Sequence, residues 1–193
     1  VQKKMASLKP AMIEVDISCP HLDYGKPYHA EPELAAKVTQ AVKKNAGKIP
    51  VSIKLSPNVD DIKEIAHAVE KAGADAVTAI NTATGMVIDI DARRPILANK
   101  TGGVSGPALK PIAVRCVYEI YKTVKIPIIG TGGVTYGKDA LEMIMAGATA
   151  VGIGTGIYYR GITIFKKVCN EMEEWMKKNK IKNLHEIRGV AHG

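Results

Sequence analysis

The residues best suited to do chemistry in this sequence stand at the ends of short apolar runs. In Val15-Asp-Ile-Ser-Cys-Pro-His21 a cysteine closes such a run and leads into a polar loop containing Gly, Tyr and His. A thiol with its ordinary pKa near ~8.5 can serve as a general base at the mouth of a site, whereas a free cysteine in a core is a small hydrophobe. In Val51-Ser-Ile-Lys-Leu-Ser-Pro57, Lys54 interrupts an apolar run. An unpaired ammonium is costly to bury, so Lys54 must meet an anion, point into a wet site or snorkel. Ile80-Asn-Thr82 offers an amide and a hydroxyl, which suit the donor and acceptor edge of a ring and equally suit turn capping.

Two glycine clusters carry a second kind of chemistry. Ile128-Ile-Gly-Thr-Gly-Gly133 and Gly152-Ile-Gly-Thr-Gly156 each follow an apolar run, with one helical stretch between them. Glycines there let backbone N–H groups approach a phosphate, and a neighbouring helix N-terminus adds partial positive charge. Tight turns without a ligand would also use glycine. Thr101-Gly-Gly-Val-Ser-Gly-Pro107 is a third such loop and reads as a mobile connection or a further cofactor contact.

Elements that could hold these groups alternate along the chain. Strands are expected at Met12–Ile17, Pro50–Leu55, Ala76–Ile80, Ile126–Ile129 and Ala150–Ile153, all short and mostly apolar as in parallel sheets. Amphipathic helices are expected at Pro32–Asn45, Val59–Ala72, Ala108–Val124, Asp139–Ala146, Ile164–Lys178 and Asn183–Arg188. This β-α-β-α order implies a parallel α/β sheet with right-handed crossovers. The phrase "Ala-Gly-Ala, apolar strand, then Gly or Asn" recurs at Ala72–Asn81 and Ala146–Gly154, and every polar cluster follows a strand's C-terminal end. Both features favour a (β/α)8 TIM barrel over an open doubly wound sheet. Only about five strands are legible, whereas a whole barrel takes about 250 residues. With Val1 in place of an initiating methionine, the reading is a single α/β-barrel domain over 1–193 that lacks about three N-terminal strands.

Composition excludes several classes. The 193 residues are 46% hydrophobic and 24% charged, ordinary for a globular domain. No apolar run approaches the roughly 20 residues of a membrane span, and no secretory leader is legible, so a cytoplasmic location is expected. Cys19, Cys116 and Cys169 have no metal-ligand spacing; no metal and no disulfide framework are expected, and Cys116 and Cys169 read as core or inert helix residues. The net charge of +8 is scattered among acids, and aromatics make up only 5%, which argues against nucleic acid and leaves attraction of small anions.

Taken in order, Ser18-Cys-Pro20, Lys54-Leu-Ser-Pro57, Ile80-Asn-Thr82, Thr101-Gly-Gly-Val-Ser-Gly106, Ile129-Gly-Thr-Gly-Gly133 and Gly152-Ile-Gly-Thr155 resemble the motif series of class 1 dihydroorotate dehydrogenases. Arg94-Pro-Ile-Leu-Ala-Asn99 through Lys110-Pro111 is similar to the class 1B, NAD-linked branch, and the resemblance runs from about Met12 onward. It implies FMN-dependent oxidation of dihydroorotate to orotate in pyrimidine biosynthesis. Cys19 would be the base at C5, and Lys54 would contact the flavin. Asp16, His21, Asn81 and Thr82 would face the pyrimidine. Ser105, Gly106, Gly132, Gly133, Gly154 and Thr155 would hold FMN. The same resemblance implies a separate subunit carrying FAD and a 2Fe–2S cluster, and a homodimer or heterotetramer.

Two positions depart from that pattern. The family carries Asn where this chain has Asp16, and usually Asn where it has His21. An ionised Asp16 can only accept hydrogen bonds and would repel a substrate carboxylate. His21 resembles the Ser-Cys-Pro-His form of dihydropyrimidine dehydrogenase. An uncharged dihydropyrimidine such as dihydrouracil is therefore a second substrate reading, and a non-catalytic flavin- or phosphate-binding fragment a third.

Overall fold

The computed structural model describes residues 2–18 and 30–193. The strands are β1 Ile13–Asp16, β2 Val51–Leu55, β3 Ala76–Ala79, β4 Ala83–Gly85, β5 Ile88–Asp89, β6 Arg94–Pro95, β7 Gly102–Val104, β8 Ile128–Thr131 and β9 Ala150–Gly152. The helices are α1 Gln2–Ser7, α2 Pro32–Ala46, α3 Ile62–Lys71, α4 Lys110–Tyr121, α5 Gly137–Ala146, α6 Gly156–Arg160 and α7 Ile164–Lys178. Local chemistry explains the starts and faces of the principal helices. Proline stands in the first turn of α2 and α4, where no N–H is missed. The Asp61 carboxylate caps α3 by accepting from the Lys63 N–H at 2.8 Å. α2 buries Ala35, Thr39, Val42 and Ala46, and α3 buries Ile62, Ile65, Ala66 and Val69, one stripe each at helical spacing.

Five strands pair in parallel in the order β1-β2-β3-β8-β9. Each new strand joins the edge made by the one before it, with no reversal. A doubly wound sheet reverses at its switch point, so this order is that of a barrel wall. The chain forms an incomplete (β/α)8 barrel with five parallel strands. Ile53, Leu55 and Val77 belong to the core shared with α2, α3, α4 and α5.

The opposite face of the sheet is more polar than the apolar runs suggest. The register sets Glu14 beside Ser52 and Asp16 beside Lys54. Thr78 is the next partner of Lys54. The Thr78 hydroxyl donates to Glu14 at 2.6 Å and lies 3.0 Å from the Ser52 hydroxyl, so these polar groups satisfy one another.

Several details differ from the sequence expectations. Residues 83–104 form two small antiparallel pairs, β4 with β7 and β5 with β6, where only a glycine loop had been legible. Met86, Val87, Ile88, Ile90, Ile96 and Leu97 are exposed there, so neither a buried stripe nor a long period marks these strands. Asn183–Arg188 is a single 3-10 turn at Leu184–Glu186 rather than a helix. Cys116 is fully buried, and burial pushes its thiol up to about 11. Cys169, expected in the core or inert, is exposed on α7. No helix among the described residues is long and apolar enough to cross a membrane.

Glu70, near the end of α3, fixes where β8 begins. Its Oε1 accepts from the N–H groups of Lys125 at 2.6 Å and Ile126 at 3.1 Å, closing the turn after α4. Removing an acceptor from two such donors costs about 1–3 kcal/mol, so Glu70→Ala should lower unfolding stability in urea by that amount. Glu70→Gln keeps a carbonyl oxygen and should recover at least half of the loss. Equal losses in the two variants would show that the acceptor is not what matters.

Candidate functional site

Parallel pairing brings the C-terminal ends of β1, β2, β3, β8 and β9 to one rim, and the sequence-derived candidates gather there. Lys54, Asn81, Thr82, Ser105, Gly106, Gly132, Gly133, Gly154 and Thr155 line one cavity of about 130 Å³, together with Ile80, Leu109, Thr131, Val134 and Gly156. A second cavity, of about 80 Å³, shares Asn81 and Thr82 and adds Ser18, Asn58, Thr84 and Thr101–Gly103. Cys19 and His21 lie outside the described residues. A wider hollow of about 580 Å³ sits on the β5–β6 excursion among Asp89, Arg94–Ala98 and Lys100, away from every strand end of the sheet.

Lys54 and Asp16 organise the strand-end side of this site. The Lys54 ammonium lies 3.6 Å from Asp16 Oδ2. Asp16 Oδ1 accepts from the Ser18 N–H at 2.9 Å and from the Ser18 hydroxyl. The Asn81 amide nitrogen lies 3.3 and 3.4 Å from the two carboxylate oxygens and also donates to the Ser18 hydroxyl. Burial raises the Asp16 pKa, but the Ser18 donors and Lys54 outweigh it and hold the carboxyl below the ordinary aspartate value. Lys54 thus meets its anion inside the protein, one of the three alternatives its setting allowed.

Asn81 is pinned from its other end as well, since its Oδ1 accepts the Thr82 N–H at 2.7 Å. Asn58 holds the next residues: its Nδ2 donates to the Thr82 carbonyl at 3.0 Å and its Oδ1 accepts from the Thr84 N–H at 2.8 Å. Sequence reasoning passed over Asn58. The available signal was its place just beyond a strand in Ser56-Pro-Asn58, where asparagine bonds nearby backbone.

The glycine side has a different character. Among the described residues, the N–H groups of Gly133, Val134, Gly154 and Thr155 donate to no backbone carbonyl and no side chain, which leaves four donors at the cavity wall. Gly133 has φ +74, and a Cβ there would lie 2.8 Å from the Gly106 carbonyl oxygen, so only glycine lets these two loops approach. A Cβ on Gly154 would meet nothing within 4 Å and would stand in open space. The Thr155 hydroxyl donates to the Ser105 hydroxyl at 2.9 Å, joining the loops after β7 and β9.

Behind these loops, Lys110 and Asp139 clamp two walls together. Lys110 Nζ lies 2.9 Å from Asp139, and the other oxygen of Asp139 accepts from the N–H groups of Thr135 at 3.0 Å and Tyr136 at 2.8 Å. The Asp139 side chain is only 7% exposed. Burial raises its pKa, but Lys110 and the two N–H donors more than offset this, and the carboxyl sits below its ordinary 3.8.

Comparison with known proteins places this site in context. The family model described as dihydroorotate dehydrogenase matches residues 1–176. Over 182 residues the chain is 54% identical to the dihydroorotate dehydrogenase B (NAD(+)), catalytic subunit, of Methanocaldococcus jannaschii, covering 94% of this chain and 59% of the relative. The subunit of the same name from Methanothermobacter thermautotrophicus is 50% identical, with 94% and 60% covered. That from Brachyspira hyodysenteriae is 49% identical, with 93% and 59% covered. The chain therefore spans about three-fifths of the length of the curated relatives it matches. A crystal structure of DHODH in complex with ferulenol from Eimeria tenella superposes with a TM-score of 0.81 at 22% identity, over 99% of this chain and 58% of that one, and establishes likeness of fold.

The clamp behind the glycine loops yields a pH prediction. Asp139 has its pKa depressed by folding, so its contribution is fully present above the unfolded value of 3.8 and is lost as pH falls through the lower folded value. Asp139→Asn should therefore cost about 1–3 kcal/mol at neutral pH and lessen the loss of stability below about pH 4. Urea unfolding of both proteins between neutral and acid pH checks this. Parallel pH profiles would remove Asp139 from the acid response.

Proposed function

The chain belongs to the dihydroorotate dehydrogenase family, and from that premise we propose that it carries the FMN- and pyrimidine-binding half of a site that oxidises dihydroorotate to orotate. The observation that carries this reading is the glycine-lined cavity at the strand ends. It joins Lys54, Asn81 and Thr82 to the three glycine-bearing loops, although these residues are scattered over about a hundred positions of sequence.

The residues fit a flavin mononucleotide. Among the described residues, Gly133, Val134, Gly154 and Thr155 offer N–H donors without a partner, Ser105 and Thr155 add hydroxyls, and Gly154 leaves open space at the cavity wall. Gly154 and Thr155 lead directly into the short helix α6, the setting described for phosphate sites in barrels. Ser105, Gly106, Gly132, Gly133, Gly154 and Thr155 would hold the phosphate end, and Lys54 would face the ring. When bound, FMN supplies the acceptor for the hydride that leaves C6 of the substrate.

The chain's own groups do the rest. Cys19 accepts the proton from C5, following the Ser18-Cys-Pro20 motif. Asn81 and Thr82 hold the pyrimidine edge, with Asp16 and His21 facing the same ring. Lys54 stabilises negative charge that develops beside it. The names of the relatives support an NAD-linked system, in which a separate subunit carrying FAD and a 2Fe–2S cluster takes the electrons onward. A second reading, oxidation of an uncharged dihydropyrimidine, is favoured by one observation: Asp16 places a carboxylate among Lys54, Ser18 and Asn81.

The test is anaerobic. FMN is added to the purified chain, and flavin absorbance near ~450 nm is followed as dihydroorotate is mixed in. Bleaching is expected; bound flavin that stays oxidised with dihydroorotate but bleaches with dihydrouracil would transfer the assignment to the second reading. Cys19→Ser should slow bleaching by about 10²-fold or more while leaving FMN affinity nearly unchanged. Lys54→Ala should weaken flavin binding or slow its reduction, and an unchanged spectrum with unchanged turnover would remove Lys54 from the site.

A further inference from the structure

We propose that Asp16 is a specificity-determining residue: by offsetting Lys54 and holding the amide nitrogen of Asn81, it lowers the site's preference for a carboxylated pyrimidine relative to an uncharged one bearing ring N–H groups. This rests on the pyrimidine reading above and narrows it.

Among the described residues lining the two cavities, Lys54 is the single charged side chain. Asp16 lies 3.6 Å from it and offsets its charge inside the protein. Without Asp16 this face would present one uncompensated cation to an incoming anion. With it, a substrate carboxylate gains little from Lys54 and meets a like charge beside it.

An ionised carboxylate only accepts, so the amide nitrogen of Asn81 is the end that must face Asp16. That nitrogen spans both Asp16 oxygens at 3.3 and 3.4 Å and also donates to the Ser18 hydroxyl. Both of its hydrogens are thereby committed. The Ser18 N–H and hydroxyl are committed to the same carboxylate. Beside the Lys54 ammonium, what this cluster retains for a ligand is acceptor capacity: carboxylate lone pairs of Asp16 and the Asn81 Oδ1, already oriented by the Thr82 N–H at 2.7 Å. Ring N–H groups suit these acceptors, whereas a carboxylate would find only the Lys54 ammonium, already offset by Asp16, left to donate. An asparagine at position 16 would remove the charge and could turn either end toward Asn81.

The experiment compares the chain and its Asp16→Asn variant, each loaded with FMN, by calorimetric titration with orotate and with uracil. These are the anionic and neutral products of the two candidate reactions. The variant should shift the orotate-to-uracil affinity ratio at least about fivefold toward orotate. A smaller shift, with both ligands bound, overturns the proposal and leaves the pyrimidine reading standing. If neither ligand binds either protein, the pyrimidine reading itself fails and this inference with it. Should the asparagine disturb folding, Asp16→Ser removes the same charge and must move the ratio in the same direction. Independently of flavin, the Asn81 side-chain amide signal of the free chain should move in Asp16→Asn and stay in place in the Asp91→Asn control on the exposed excursion. An unmoved signal would overturn the argument from orientation.

Discussion

Parallel hydrogen bonding is the constraint from which the rest of this structure follows. Strands that run the same way cannot be joined by tight turns, so each connection crosses back as a helix and returns to the same starting edge. Every strand therefore ends on one rim. Residues as distant in sequence as Lys54 and Thr155 become neighbours without any segment between them being designed for the encounter. The helices pack on one face of the sheet, and the other face is free to carry Glu14, Asp16, Ser52, Lys54 and Thr78 in register.

That division explains how charge is managed. Among the described residues the site holds few charged groups, and Lys54 and Lys110 each have a partner within the protein. Lys54 is answered by Asp16 across neighbouring strands, and Lys110 by Asp139 between the first turns of α4 and α5. The first pair is half open to solvent and contributes little to stability by itself; its importance is directional, because it decides which way Asn81 points. In the second the carboxylate is buried while Lys110 reaches solvent and also pairs with Glu142, and it holds the loop after β8 against the start of α4, so the glycine N–H donors sit on a braced frame.

Much of this was legible in sequence for a physical reason. Buried parallel strands are short apolar runs, and the longer helices carry stripes at 3.6-residue spacing, so the five strands and α2, α3, α4, α5 and α7 stand out, whereas the short α1 and α6 do not. The three glycine-bearing loops were also legible, since glycine marks close approach wherever it clusters. The small strands of 83–104 were not. They are two or three residues long and exposed on both faces, so neither period nor burial distinguishes them from loop. Asn58 escaped because its role depends on a chain segment more than twenty residues away, which only the fold brings near. Cys169 shows the same limit in reverse: its helix was evident, but the side of that helix facing solvent was set by packing against α5.

The contrast between Cys116 and Cys169 gives the molecule a built-in reporter. Cys116 is sealed in the core with its thiol driven up to about 11, so it is neither ionised nor reachable in the folded state. Cys169 stands on the surface of α7. An alkylating reagent that labels Cys169 directly can label Cys116 only after α4 leaves the sheet. Where reclosing is faster than alkylation, the rate of that slow labelling reports the population of the open form, under native conditions and without denaturant.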